Sequence, residues 1–160
     1  MPELRYGKAI GQALNDAMTA DPNVVVFGED IAIAGGSFGV TRGLLDAFGP
    51  LRVRDTPISE ATLLSAAVGA AMGGLKPVVE IMFMDFITLG MDALVNQAAK
   101  ARFMFGGQTS VPMVLRTPHG GGLAAGPQHS QCLEGWLAHV PGLKVVCPAT
   151  VADAYGLLRS

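Results

Sequence analysis

Charge is scarce in this sequence. Only 15% of its 160 residues are Asp, Glu, Lys or Arg, and half are apolar, the opposite of a disordered or solvating chain. There is no excess of basic residues either: eleven Lys and Arg stand against thirteen Asp and Glu, for a formal net charge of −2 and a pI near 5.8. A basic face able to dominate nucleic-acid binding is thereby excluded. An aromatic fraction of 6% leaves little for a base-stacking platform. Cysteine is limited to Cys132 and Cys147, neither with a CxxC partner. Two are too few for a disulfide framework and point to a reducing compartment, taken here as the cytoplasm. Long apolar runs are missing as well, although mean hydropathy is +0.41. The longest uncharged apolar stretch, residues 61–75, contains three glycines and two hydroxyl residues and stops at Lys76-Pro77, short of the roughly 20 residues of a spanning helix. Met1-Pro2-Glu3-Leu4-Arg5 lacks both the apolar run of a signal peptide and an Arg/Ser-rich transit pattern. The expectation is a soluble protein with no membrane or nucleic-acid partner. Its hydropathy then reflects strands buried on both faces, or a surface that sits against another subunit.

Twenty-one glycines and ten prolines punctuate what remains. Ala9, Ile10, Ala13, Leu14, Ala17 and Met18 recur at helical spacing and predict a helix from Tyr6 to Ala20, ended by Asp21-Pro22. Val24-Val25-Val26-Phe27 has the uninterrupted apolar character of a buried strand. The alternation continues with a helix over 41–48, a strand over 52–54, a helix over 60–72 with Ser59 as its cap, and a strand over 77–82. A long helix over 86–104, a strand over 111–116, a glycine-rich loop over 117–131, a helix over 132–139, a strand over 143–147 and a helix over 151–159 complete the pattern. Such alternation implies a three-layer α/β/α fold with a mainly parallel sheet, in one domain over 1–160. The sequence stops inside or just after its last helix, as a cut chain would.

In open parallel sheets ligands sit outside the carboxyl ends of the strands, and the unusual polar residues fall there. Glu29 follows the first strand, Glu60 the second and Asp85 the third. His119, Gln128, His129 and Ser130 follow the fourth. Each also has a plainer explanation. Glu60 at a helix start is favourable for the helix dipole alone, Glu29 can be a turn acid, and a lone histidine in a loop is more often not functional. His119, His129 and His139 recur every ten residues, which matches no metal motif and argues against zinc. GxGxxG and GxxxxGK[ST] are absent and His129-Ser130 lies in no GxSxG nucleophile elbow, which removes support for a dinucleotide site and a phosphate loop and leaves a serine hydrolase weak.

Several segments are more specific. Gly28-Glu29-Asp30, Asp55-Thr56-Pro57-Ile58-Ser59-Glu60, Gly74-Leu75-Lys76-Pro77-Val78, Asn96-Gln97-Ala98-Ala99-Lys100, Gly106-Gly107, Gln128-His129-Ser130-Gln131 and Pro141-Gly142-Leu143-Lys144-Val145-Val146 occur in order. Together they resemble the beta subunit of thiamine-diphosphate-dependent 2-oxoacid dehydrogenases. The likeness covers essentially the whole chain but only that subunit's first half, the pyrimidine-binding domain with its transketolase-like fold. The family's C-terminal domain has no counterpart here.

The resemblance implies oxidative decarboxylation supported by thiamine diphosphate. Glu60 matches the glutamate that hydrogen-bonds the pyrimidine ring and promotes its imino tautomer, a task suited to a carboxyl that can share a proton with a weak ring base. His129 matches the active-site histidine, and imidazole titrates near neutrality, as proton transfer requires. Glu29 matches the acid of the first loop, while Ile58 and Ser59 form the wall beside Glu60. Met82 stands where many members carry glutamine and Phe86 where many carry tyrosine; Phe86 can stack on the pyrimidine but has no hydroxyl to donate. The text around Met82–Phe86 and Arg102–Gly107 is closer to acetoin and pyruvate dehydrogenases than to branched-chain enzymes. Some members bind potassium partly through the main-chain carbonyl at the position of Met113. No GDG…N motif for magnesium and diphosphate is present, and in the family that half of the site belongs to the alpha subunit. An alpha2beta2 assembly, an acyltransferase component of the complex and self-association through the 86–104 helix are therefore expected. The alternative is a non-catalytic assembly module of the same fold, and a small hydrolase using His129 ranks last.

Overall fold

The computed structural model describes residues 4–160; Met1 to Glu3, part of the stretch read above for targeting features, lie outside the described residues. Four parallel strands form one sheet: β1 (Val24–Glu29), β2 (Val53–Thr56), β3 (Lys76–Glu80) and β4 (Val114–Arg116), in the order β2-β1-β3-β4. Helix α1 (Tyr6–Ala20) buries Ala9, Ala13, Leu14 and Met18. With α2 (Leu44–Phe48) it covers the sheet face that carries Val24, Val26, Val53 and Val78. Helix α3 (Glu60–Met72) covers the other face through Leu63, Leu64, Ala67 and Val68, against Val79 and Ile81. The final helix, α6 (Val151–Arg159), packs on α1, where the Tyr155 hydroxyl donates to Asp16 Oδ2 at 2.7 Å. The chain moves outward from β1 to β2 across one face and returns to β3 across the other, as right-handed crossovers require when their direction reverses. Among the described residues no helix is long and apolar enough to cross a membrane.

The reversal places β1 beside β3, and the two approach closely. Gly28 pairs with Glu80, and a Cβ at Gly28 would lie 2.5 Å from the Glu80 carbonyl oxygen. Only glycine fits there. The edge strand β4 has three residues, and it is tied to β3 by an ion pair between register partners, half-buried Arg116 and buried Glu80: the Arg116 guanidinium donates to Glu80 Oε2.

Helices 6–20, 60–72 and 151–159 form over the predicted bounds; other elements differ. The helix expected over 41–48 begins only at Leu44, because Gly43 takes a φ of 87° and the Thr41 hydroxyl donates to the Ile31 carbonyl instead. The long helix expected over 86–104 is interrupted. A tight 3-10 segment, Met84–Gly90, leads through a π-helical stretch, Ala93–Ala98, into α4 (Ala99–Met104). Gly90 packs directly on the Leu64 side chain of α3, which fixes where the winding changes. Residues 143–147 form no strand: Leu143 and Val145 lean on the core, but the segment makes no backbone ladder to the short β4. A shorter helix than expected, α5 (Glu134–Ala138), buries Leu137. Ser59 occupies the cap position of α3 without a side-chain cap, since its hydroxyl donates to Pro57 O at 3.2 Å.

Removing one partner of a buried ion pair strands the other charge at a cost of about 3–5 kcal/mol. Arg116→Leu should therefore destabilise the protein by about that much in urea titration, and the double variant with Glu80→Met should recover most of the loss. An unchanged midpoint for Arg116→Leu would contradict this account of β4.

Candidate functional site

Because all four strands are parallel, their last residues meet along one edge. Glu29, Thr56, Glu80 and Arg116 are each the final residue of a strand and lie at neighbouring register positions across it. Glu60 follows β2 as the first residue of α3, Asp85 follows β3, and the loop carrying His129 follows β4.

The carboxylates on this edge are buried, and each is handled differently. Glu80 is paired with Arg116. Asp85, 5% exposed, is pushed up by burial, but hydrogen bonds from the Gln131 side chain and from the backbone at Gln131 and Ser130 outweigh that and hold it below its ordinary value. Its Oδ1 accepts from Gln131 Nε2 at 2.8 Å, while Oδ2 is buried with no partner. Glu29, 2% exposed, is raised, first by burial and then by the neighbouring Glu60 carboxylate. The single hydrogen bond opposing this comes from the Ser59 amide to Glu29 Oε1 at 3.2 Å. Glu60 is itself 6% exposed. The Thr56 hydroxyl, register partner of Glu29, is buried and unpartnered.

His129 is held by aromatic edges. Its ring meets Phe83 at 4.9 Å and Phe86 at 5.2 Å, both nearly perpendicular, and Phe38 stands 6.1 Å from Phe83. Its loop is anchored at both ends to the 3-10 segment: the Met84 amide donates to the Pro118 carbonyl at 2.9 Å, and Asp85 holds Gln131. Asp85 therefore positions the histidine loop. Ile58 is 77% exposed at the same edge, while Ser59, Met82 and Phe86 are half-buried. Met113 immediately precedes β4 and lies at the amino edge, away from the rest. Two depressions, of about 250 and 130 Å³, lie beside Arg42 and beside Phe83, and neither is lined by Glu29 or Glu60.

The Glu80–Arg116 pair, the Asp85–Gln131 clamp and Phe83 are the parts of this edge that sequence reasoning did not assign. The strand expected over 77–82 put Glu80 in its interior, so only Arg116, at the end of the strand expected over 111–116, hinted at the first. His119 meets neither other histidine; its ring lies with Cys132 and Glu134.

The raised carboxyl has a consequence for stability. Below the ordinary glutamate range both folded and unfolded chains hold the Glu29 proton. As pH rises, the unfolded chain ionises first, so stability falls until the raised native value is passed. Glu29→Gln, whose amide oxygen can still accept from Ser59, should remove that slope and leave the protein more stable at neutral pH. Denaturation curves across the acid range would show it; a less stable variant at neutral pH would contradict it.

Residues 2–160 match the family model described as "Transketolase, pyrimidine binding domain". The chain is 48% identical over 158 residues to the mitochondrial pyruvate dehydrogenase E1 component subunit beta-2 of rice (Oryza sativa subsp. japonica), covering 99% of this chain and 42% of that protein. It is 52% identical to the pyruvate dehydrogenase E1 beta subunit of Acholeplasma laidlawii, over 94% of this chain and 46% of that protein. The beta subunit of acetoin:2,6-dichlorophenolindophenol oxidoreductase from Bacillus subtilis is 48% identical, over 94% of this chain and 47% of that protein. The chain thus spans less than half the length of these relatives. In fold it is similar to a solved split-gene transketolase described as an inactive beta4 tetramer, with a TM-score of 0.73, 20% identity, and coverage of 94% of this chain and 45% of that one. The alternation of strands and helices, the parallel sheet and the match over 2–160 agree: this chain belongs to the transketolase pyrimidine-binding domain family.

Proposed function

We propose that this chain is the pyrimidine-binding part of a thiamine-diphosphate-dependent 2-oxoacid dehydrogenase of the pyruvate or acetoin type. In this reading it works with an alpha subunit in an alpha2beta2 assembly that serves an acyltransferase component. The observation that carries the reading is the pair of buried carboxyls, Glu29 and Glu60, at the edge where β1 and β2 end. The matches to pyruvate and acetoin dehydrogenase beta subunits support it.

The residues present fit an aminopyrimidine. A flat ring that needs one carboxyl partner and apolar neighbours would find Glu60, the exposed Ile58, and the ring of Phe86. The unpartnered Thr56 hydroxyl offers a further polar contact on the same edge. Thiamine diphosphate, when bound, supplies a stabilised carbanion able to attack a carbonyl. Glu60 would hydrogen-bond the pyrimidine ring nitrogen through its carboxyl and share a proton with it. Glu29 beside it resists ionising, which keeps two adjacent buried acids from both being charged. Ser59 orients Glu29 through its amide. His129, braced by Phe83 and Phe86, faces the substrate side and moves a proton or steadies a carboxylate there. Met82 and Phe86 shape substrate preference. The diphosphate and its magnesium do not fit the described residues, because magnesium takes oxygen ligands and the acids of this edge do not converge at metal-ligand spacing, which among the described residues only His119, Cys132 and Glu134 reach. We assign them to the alpha subunit. Met113 lies on the opposite edge, so a potassium ion held partly by its carbonyl would act on the fold and not on the reacting atoms.

Phe103, Met104 and Phe105 at the end of α4 are 91, 71 and 53% exposed, whereas Met91, Val95 and Ala98 of the same helical run lean on the core. We place subunit contact at the exposed set. Reconstituted with an alpha subunit, Glu60→Gln should lose about a hundredfold or more of turnover with the fold intact, and Phe103→Glu should lose association in sedimentation. Near-normal turnover of Glu60→Gln would reduce Glu60 to a helix-start acid.

A further inference from the structure

We propose that His119, Cys132 and Glu134 form a binding site for a borderline-soft divalent cation, with zinc(II) the best chemical match. The backbone brings the three together. The Gly120 amide donates to the Gln131 carbonyl at 3.2 Å, so the two ends of the histidine loop run side by side and the residues just outside that bond, His119 and Cys132, become neighbours. Glu134 is the first residue of α5, two positions further on. The imidazole nitrogen, the thiol sulfur and a carboxylate oxygen all lie within 4.8 Å of one another.

Two details favour a cation over an ordinary surface cluster. His119 Nδ1 and Glu134 Oε2 are 3.3 Å apart, yet that oxygen is buried with no hydrogen-bond partner. The two atoms thus face each other without a hydrogen bond, and pair as ions only with a protonated imidazole. Ligands about 2.0–2.1 Å from a tetrahedral zinc are separated by about 3.4 Å, which is the spacing seen. Cys132 is exposed and free, so its sulfur can close the third corner by side-chain rotation. One nitrogen, one sulfur and one oxygen donor suit zinc and exclude magnesium or calcium, which take oxygen. On coordination the thiol proton passes to solvent, the thiolate binds the metal, and water takes the fourth position. The ion would clasp both ends of the loop that carries His129. This site does not depend on the proposed thiamine reading.

The test is a titration of the reduced chain with cobalt(II) and zinc(II). One equivalent of cobalt should produce thiolate-to-cobalt charge-transfer absorption and the visible bands of four-coordination. Cys132→Ser should abolish the charge transfer, and Cys147→Ser should leave it unchanged. Losing even an outer-shell partner weakens metal sites 10- to 100-fold, so His119→Ala and Glu134→Gln should each weaken binding by about tenfold or more. Zinc should raise the melting temperature of the wild type more than that of Glu134→Gln, a comparison that stands even if Cys132→Ser folds poorly. Absence of the charge-transfer band, its survival in Cys132→Ser, its loss in Cys147→Ser, or wild-type affinity in both His119→Ala and Glu134→Gln would each overturn the proposal.

Discussion

The chain reverses direction between β1 and β3, and the polar geometry of the molecule depends on that reversal. A parallel sheet must send every strand end to one edge, and the reversal opens a crevice there between the loops that leave in opposite directions. Gly28 permits it, since the Glu80 carbonyl occupies the space where any side chain would begin. With β1 and β3 adjacent, Glu29 and Glu80 become near neighbours across the edge, and β2 brings Glu60 in from the other side.

Crowding acids at a buried edge is unfavourable unless each is compensated. Glu80 has Arg116. Asp85 has Gln131 and the loop backbone, and in return it fixes the loop that presents His129. Glu29 has one backbone amide, which does not offset its burial and the Glu60 charge beside it. The edge therefore separates Glu80 and Asp85, each gripped by a side chain of the fold although Asp85 Oδ2 has no partner, from Glu29 and its neighbour Glu60, where burial and the second carboxylate push the Glu29 carboxyl up. That division is the physical basis for assigning the second group to a ligand: a carboxyl retained in an unfavourable place is more readily explained by chemistry than by packing.

Much of this architecture was legible in the sequence, for reasons that differ by element. Helices 6–20, 60–72 and 151–159 carry their signals locally, in apolar spacing and, for the first, in Asp21-Pro22. The strand-end rule locates Glu29, Glu60, Asp85 and the His129 loop from the sequence alone, because parallel topology converts chain order into spatial proximity. What the sequence hid were contacts set by distant partners. The break in the 84–104 segment follows from Gly90 meeting Leu64 on another helix. The failure of 143–147 to become a strand follows from the shortness of β4, which offers it no ladder. His119 resembled no metal ligand while compared only with other histidines, since its partners are a cysteine and a glutamate brought near by one loop-closing hydrogen bond.

The central claim is that the edge bearing Glu29 and Glu60 is one half of a shared thiamine diphosphate site. Calorimetry with the chain alone, an alpha subunit alone and the two mixed addresses it directly. The account predicts weak, magnesium-independent binding by the chain and tight, magnesium-dependent binding only by the mixture. Tight magnesium-dependent binding by the chain alone, or a mixture that binds no better than its parts, would contradict it.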